Sequence, residues 1–303
     1  MSEFRIFAPA TIGNVASGFD VLGLAVAGLG DTFVFEESNH YSIAVQGRDA
    51  RLVPLEPEKN TVTLAAEALY VSLGITPKRF HVTLERTLPL AGGLGSSAAS
   101  SVAGALAAAK IAGVLDRKDL ILKAALAAET VVAGPHLDNI APCIFGGLTL
   151  VQDVGDLRVY PVPMRAKFWI TLTTPPLHIQ TKEARKVLPQ QLDTPRWTRQ
   201  MAHCTTLALA LALGDHEQIA FGLKDPFAEP ARGNLIPGFF QAKALAMNVG
   251  AYGFSISGSG PTCFALSADE ATAHKVADAV REVFGPQTLV HIAEPSLQGA
   301  SIL

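Results

Sequence analysis

Apolar and polar positions along the chain change period at regular points, and the changes divide it into short strands and longer helices. Residues 4–8, 31–36 and 41–46 alternate apolar, β-branched or aromatic side chains with polar ones between turn residues. They predict strands that open the chain with antiparallel sheet. A helical period follows, in which Val62, Ala65, Leu69 and Leu73 share one face, Asn60 can cap the start and Gly74 the end. Residues 80–86 alternate again, as a strand with one half-exposed face does. From 117 to 132 the pattern is helical, with Leu120, Ala124, Ala127 and Val131 as one apolar stripe; Asp116 and Asp119 make a start like a capping box, and Gly134-Pro135 ends it. Residues 144–151 predict a strand pair or a bent strand. The polar connection at Gly155-Asp156 then marks a domain boundary, to within about ten residues. In the second half, strands are predicted over 168–173, 253–257, 262–266 and 289–292, and helices over 182–188, 196–213, 238–249 and 270–283. That order suggests an α+β sandwich.

Between the strand at 80–86 and the helix at 117, residues 87–109 carry no charge and are long enough to cross a bilayer. Proline, glycines and serines fill the first half, which suits a loop and a buried helix better. The loop reads Pro89-Leu90-Ala91-Gly92-Gly93-Leu94-Gly95-Ser96-Ser97-Ala98. Its glycines permit positive φ and close backbone approach, Ser96 or Ser97 can cap the alanine-rich helix that follows, and helix-start amides attract anions. The plainer alternative is a tight connection ahead of a buried helix. No lysine follows the last glycine, so this is not a Walker A loop. Gly93 to Ala98 fits G-x-G-x-x-A, but the preceding strand alternates and Pro89 interrupts the connection, which disfavours a dinucleotide site.

Composition narrows the class. The chain has 303 residues, 49% hydrophobic and 17% charged, enough for two domains with substantial cores. A formal net charge of −3 without a basic cluster argues against nucleic acid. The first residues lack the apolar core of a signal peptide, so a cytoplasmic protein with no membrane contact is expected. Cys143, Cys204 and Cys263 have no metal-ligand spacing and read as small buried residues.

Three stretches together resemble the GHMP small-molecule kinases. Residues 89–99 resemble the family's P-x-x-x-G-L-G-S-S-A-A phosphate loop. Ala8-Pro9-Ala10-Thr11, through Asn14 to Gly18-Phe19-Asp20, resembles the first motif in its homoserine-kinase form, and residues 250–262 resemble the third. The resemblance spans the chain. It implies a two-domain α+β fold: an N-terminal α/β domain with antiparallel or mixed sheet, ATP-binding, over 1–155, and a ferredoxin-like domain over 156–303. It further implies ATP and Mg²⁺, with Pro89, Gly92, Gly93, Leu94, Gly95, Ser96, Ser97 and Ala98 around the phosphates and Asn60 in an adenine pocket.

Glu129 is the only charge from Ala124 to Leu137 and lies opposite the predicted stripe, beside Leu122, Ala125 and Leu126. A carboxylate buried there needs a cation or strong donors. With the hydroxyl of Ser97 it makes a magnesium pair, as the resemblance implies; an exposed acid at a helix end is the alternative. Where mevalonate kinase and galactokinase place an aspartate base, this chain has Asn139, which can orient a hydroxyl but cannot take its proton. A zwitterionic amino acid needs an anion and a cation, and Asp20 and Arg232 suit its ammonium and carboxylate. The segment from Asp225 to Arg232 and the run Thr181-Lys182-Glu183-Ala184-Arg185 resemble homoserine-kinase segments, adding Arg185 near the γ-phosphate and the hydroxyl. The motifs also bring Asn14, His136 and Asp138 to the acceptor side. The expectation is ATP-dependent phosphorylation of L-homoserine, a step of threonine synthesis, with a homodimer left open. Its rivals are a kinase for another small alcohol and a catalytically silent nucleotide-binding regulator.

Overall fold

The computed structural model describes residues 3–303. Its first layer is a seven-stranded sheet. Strands β1 (Phe4–Gly13), β2 (Leu22–Glu37), β3 (Ser42–Gly47) and β4 (Phe80–Arg86) form its body, and only the β3–β4 pair is parallel. β1 and β2 run well past the predicted strands, because the first motif itself is extended up to Gly13 and resumes at Leu22. Ile6, Ala8, Ala10 and Ile12 of β1 are all fully buried, as are Leu22, Leu24, Phe33 and Phe35 of β2. Each large side chain so covered contributes roughly 1.5–3 kcal/mol.

Three helices cover that face: α1 (Thr61–Leu73), α2 (Ser96–Ala112) and α3 (Lys118–Val132). Asn60 caps α1 by accepting from Val62 N, and Gly74 ends it in the left-handed region, both as the pattern predicts. The uncharged stretch resolves into loop plus helix: α2 is buried along most of its length between its neighbours, and no helix among the described residues is long and apolar enough to cross a membrane. α3 differs from expectation in two ways. Asp119 pairs with Arg117 instead of sealing the helix start, and no side chain caps it. Its buried face is Ile121, Leu122, Ala124, Ala125, Ala128 and Glu129, whereas Val131 is exposed. The competing apolar rows were both plausible, and packing against α1 and α2 selected the one that carries the acid.

Residues 140–145 form a short helix, α4 (Ile140–Phe145), before β5 (Leu148–Asp153), so the predicted strand pair is a helix and a strand. β5 pairs with β2 and with β6 (Arg158–Val162). The first sheet therefore continues past residue 155 before the chain leaves it.

The second unit is a four-stranded antiparallel sheet built from β7 (Trp169–Thr174), β8 (Gly253–Ile256), β9 (Cys263–Ser267) and β10 (Leu289–Ala293) in the order β10-β7-β9-β8. That order is the ferredoxin-like arrangement the resemblance implies. Helices α5 (Thr181–Lys186), α6 (Thr194–Leu213), α7 (His216–Gly222), α8 (Glu229–Arg232) and α9 (Phe239–Asn248) lie between β7 and β8, and α10 (Glu270–Phe284) between β9 and β10. The tail then returns to the first sheet. Ser296 N bonds to Ala25 O, Ala300 N to Cys143 O, and β11 (Ser301–Ile302) pairs antiparallel with β1. Strand alternation alone could not place so short a segment.

Candidate active site

The three motifs that are far apart in sequence meet in one cleft of about 250 Å³ between the two units. The glycine loop enters it at the N-terminus of α2. Gly95, at φ +68°, is the cap of that helix, and no side chain caps it; Ser96 and Ser97 are its first helical residues, which corrects the expectation that one of them would cap. A Cβ at Gly95 would overlap Thr11 Oγ1, so only glycine lets the backbone turn here. The first-turn amides of α2 lack helical partners and face the cleft, with the positive end of the macrodipole behind them.

The third motif holds the loop from the other side. Ser257 Oγ donates to Gly93 O at 2.6 Å, Thr262 N to Gly92 O at 3.1 Å, and Gly258 N to Gly13 O at 3.0 Å. Gly92, Gly93, Gly95, Ser96 and Ser97 line the cleft. Leu94 and Ala98 do not; they are buried in the first core and anchor the loop, and Leu94 O accepts from Thr11 N. Pro89 borders a separate small hollow. Asn60 is not among the cleft-lining residues either: its amide is spent on Val62 N and Pro54 O, the two bonds that fix the start of α1.

Glu129 is 6% exposed and turns into the cleft beside Ser97, whose Oγ donates to its Oε1 at 2.7 Å. Its Oε2 is buried with no partner. Burial pushes this carboxyl up to about 7, the Ser97 bond opposes the shift, and Asp138 adds to it. A buried acceptor without a donor is costly. The bond uses the Ser97 hydrogen and leaves its lone pairs, and the neighbouring Oε2, as acceptors without a donor. That donor set of hard oxygens fits Mg²⁺, which takes few protein ligands when phosphates and water complete its shell. No cluster of three or more histidine, cysteine or carboxylate side chains competes for a metal among the described residues.

The acceptor half of the cleft is built by the turn between β1 and β2. Asn14, Val15, Ala16 and Asp20 all adopt left-handed backbone, at φ 68°, 44°, 60° and 57°. A β-branched residue there is strained, and the turn is held by bonds to both units. Asn14 N donates to Asp138 Oδ2 at 3.0 Å and Asn14 Nδ2 to Gly258 O at 2.9 Å, while Ser17 Oγ donates to Gly222 O and Gln200 Nε2 to Ser17 O. Asp20 N donates to Asn14 Oδ1. So fixed, Asp20 faces two cations.

Arg185 is bound bidentately by Asp20, at 2.8 and 3.1 Å, and its Nη2 also lies 3.3 Å from His136 Nδ1. It thus sits on the acceptor side as the partner of Asp20, a pairing that the expectation of an arginine near the γ-phosphate and the hydroxyl did not include. Arg232 is 4% exposed and gives Nε to Ala184 O and Nη1 to Gly258 O. It forms no ion pair among the described residues. Burial, reinforced by Arg185, lowers its pKa. Both guanidinium groups lie over the ring of Phe19, at 5.5 and 5.2 Å from its centroid, and Phe227 meets that ring edge-on.

At the junction of the two halves stands Asn139, just before α4. Its Oδ1 accepts from Thr11 Oγ1 at 2.8 Å. Beside it Asp138 is buried and raised to about 6, by burial first and then by Asp20, against the Asn14 amide. Burial lowers His136, Arg185 and Arg232 lower it further, and Asp20 opposes them. Thr11, Phe19, Thr181 and Ser259 belong to the site but carry no role in the sequence reading. Thr11 and Phe19 lay inside the quoted motif, and their chemistry shows only once Asn139 and the arginines are beside them.

Residues 60–147 match the description "GHMP kinases N terminal domain" and residues 207–285 match "GHMP kinases C terminal". The homoserine kinase of Pyrococcus abyssi is 39% identical over 263 residues, 86% of this chain and 87% of the relative. That of Chlorobium phaeobacteroides is 38% identical over 297 residues, 94% of this chain and 92% of its own. The crystal structure of homoserine kinase from Cytophaga hutchinsonii superposes with a TM-score of 0.94 at 36% identity, covering 100% of this chain and 98% of that one. A mevalonate kinase structure at 12% identity and TM-score 0.73 shares the fold.

Proposed function

Because the chain belongs to the GHMP kinase family, we propose that it is a cytoplasmic enzyme that transfers the γ-phosphate of ATP to the side-chain hydroxyl of L-homoserine, giving O-phospho-L-homoserine and ADP. One observation carries the choice of acceptor: a buried guanidinium, Arg232, that forms no ion pair among the described residues, set beside the Asp20–Arg185 pair. A buried cation that no carboxylate contacts calls for an anion. A free amino acid supplies a carboxylate for the arginines and an ammonium for Asp20, while mevalonate offers only the carboxylate and a sugar neither. The relatives of 34–39% identity named homoserine kinases support the same acceptor.

The glycine loop and the first turn of α2 would receive the β- and γ-phosphates on backbone amides. Ser97 and Glu129 would hold Mg²⁺, which when bound neutralises charge on the phosphates. Thr11 uses Asn139 Oδ1 and Asp138 Oδ1 accepts one amide hydrogen at 3.4 Å, which leaves the second amide hydrogen of Asn139 to orient the acceptor hydroxyl. The hydroxyl oxygen forms the new bond to the γ-phosphorus as the bond to the bridging oxygen breaks and ADP leaves with the electron pair. Asn139 has no basic site near neutral pH, so the hydroxyl proton passes to the transferred phosphoryl group or to water. Positioning and charge neutralisation carry most of the rate in such a transfer.

ADP release measured with ATP, Mg²⁺ and a panel of homoserine, serine, threonine, mevalonate and galactose should be fastest with homoserine. Faster turnover of mevalonate or galactose would overturn the acceptor, and no release with any of them would favour a silent regulator.

A further inference from the structure

Asp225 is 8% exposed and does not line the cleft, yet its hydrogen bonds lead to both ends of the acceptor site. It stands ahead of α8, whose four residues make barely one turn and end on Arg232. So short a helix needs support from outside itself. Asp225 Oδ1 accepts from Phe227 N at 2.9 Å and Ala228 N at 3.0 Å, and Oδ2 accepts from Glu229 N at 3.0 Å. Ala228 O in turn accepts from Arg232 N at 2.9 Å. The carboxylate is thus two hydrogen bonds from the backbone of the arginine. Toward the other end it works through Gln200 of α6, whose side chain bonds to Asp225 and whose Nε2 donates to Ser17 O at 2.7 Å, in the turn that carries Asp20. Phe227, whose amide Asp225 holds, also meets the Phe19 ring edge-on beneath the two guanidinium groups. Burial raises the Asp225 carboxyl, and the three amides and then Gln200 oppose that shift. Four donors fill the acceptor sites of one carboxylate, so its chemistry is to fix distances.

We infer that Asp225, with Gln200, is a positioning residue that sets the distance between Asp20 and Arg232 and so the length of zwitterion the site accepts. The inference rests on the homoserine reading, in which Asp20 takes the ammonium and Arg232 the carboxylate. A ligand gripped at both ends is held well only when the two grips are correctly spaced. Here the grips stand on different units of the fold, the first-motif turn and α8. They are tied together twice. On the cleft side the tie is Gly258 O, which accepts from Asn14 Nδ2 and from Arg232 Nη1, both at 2.9 Å. Behind the pocket the tie is Asp225 and Gln200. Without Asp225, α8 loses its three capping bonds and the spacing is left to the shared carbonyl. The phosphate side feels none of this, because the glycine loop is held by Ser257 and Thr262.

Steady-state kinetics on the full chain test this. Asp225→Ala should raise KM for homoserine by roughly ten- to a hundredfold, the scale of a misplacement of about 1 Å remote from the chemistry, with KM for ATP unchanged. Asp225→Asn keeps the size and can still accept from Phe227 and Ala228, so it should recover part of the loss; it reads the same split if the alanine variant folds poorly. Gln200→Met keeps the bulk and removes the donor. It should also raise KM for homoserine, and combined with Asp225→Ala it should cost little more, since both act through one link. γ-Hydroxybutyrate, which is homoserine without its amino group, can follow Arg232 wherever that residue moves. Its inhibition constant should therefore change far less in Asp225→Ala than KM for homoserine does. A cap that only stabilised α8 would lower Tm and leave both KM values at the wild-type level, and that result overturns the inference. Equal losses for homoserine and γ-hydroxybutyrate overturn it too, because spacing would not be what had changed. A wild type that does not phosphorylate homoserine removes the reading beneath it, and the acceptor panel shows that before any variant is made.

Discussion

Glu129 is the residue whose environment makes the sharpest demand. Its carboxyl sits at about 7 when folded against an ordinary 4.5, so between those values the folded chain holds a proton that the unfolded chain has released. Stability must then fall as pH rises through that window, by about 3 kcal/mol in all at ~1.36 kcal/mol per unit. Glu129→Gln stays neutral and should lack that part of the loss. Denaturant melts from about pH 4 to about pH 8 for both proteins isolate it by difference. Mg²⁺ at the upper pH should stabilise the wild type and not the variant; equal responses would make Glu129 a structural acid. Turnover of Glu129→Gln should drop by at least about a hundredfold, the scale of one electrostatic contact to a transition state. A second test concerns Phe19, whose ring both guanidinium groups lie over. Phe19→Leu should raise KM for homoserine roughly tenfold while leaving that for ATP unchanged, since a desolvated cation–π contact is worth up to about 2 kcal/mol. Phe19→Tyr should restore it. If ATP and homoserine suffer alike, the ring is only core. Asp20 and Glu129 were legible because each stands alone in an apolar stretch, whereas Arg185 and Arg232 have charged neighbours and were legible only through segments that resemble those of homoserine kinases. Their pairing was not, since Asp20 and Arg185 are separated by most of the chain and nothing local says that they meet.

At the scale of elements, the glycine loop and α2 act as one device with Thr11 and Asn139. Because a Cβ at Gly95 would displace Thr11 Oγ1, it would also release the Asn139 amide that Thr11 holds. Gly95→Ala should therefore weaken nucleotide binding tenfold or more and lower turnover as well. Adding Thr11→Ala to it should cost little further turnover, because both changes break the same bond. Calorimetry for the nucleotide and steady-state kinetics for the acceptor separate these outcomes, and additive losses would show that loop and asparagine work independently. Most helices were readable from their period and caps, as Asn60 and Gly74 illustrate. α3 was the instructive exception, since two apolar rows competed on one alanine-rich helix and local pattern could not say which row the neighbours would cover. α4 escaped notice because six residues give barely more than one turn, too short for a period to register.

Across the whole molecule, the last residues complete the first sheet. The tail covers the edge of β1 and bonds to Cys143 O, inside α4, and to Gly147 N, just past its end, and so steadies the helix that follows Asn139. Deleting residues 295–303 should lower Tm by several degrees, since ~1 kcal/mol moves a domain of this size by about 2–4 °C, and should reduce turnover more than ATP affinity. A truncated enzyme with unaltered kinetics would mean that the tail only closes the sheet. The turn carrying Asp20 spans the two units under a different tension. Its left-handed Val15 and Ala16 cost of order 1–3 kcal/mol each, which packing must outweigh. Laboratory evolution for heat resistance alone would accordingly be drawn to Val15→Gly or Ala16→Gly, which relieve the strain. The survivors would be sturdier proteins with a slack turn, indifferent between homoserine and its neighbours, so that thermal tolerance and acceptor choice pull this eight-residue connection in opposite evolutionary directions.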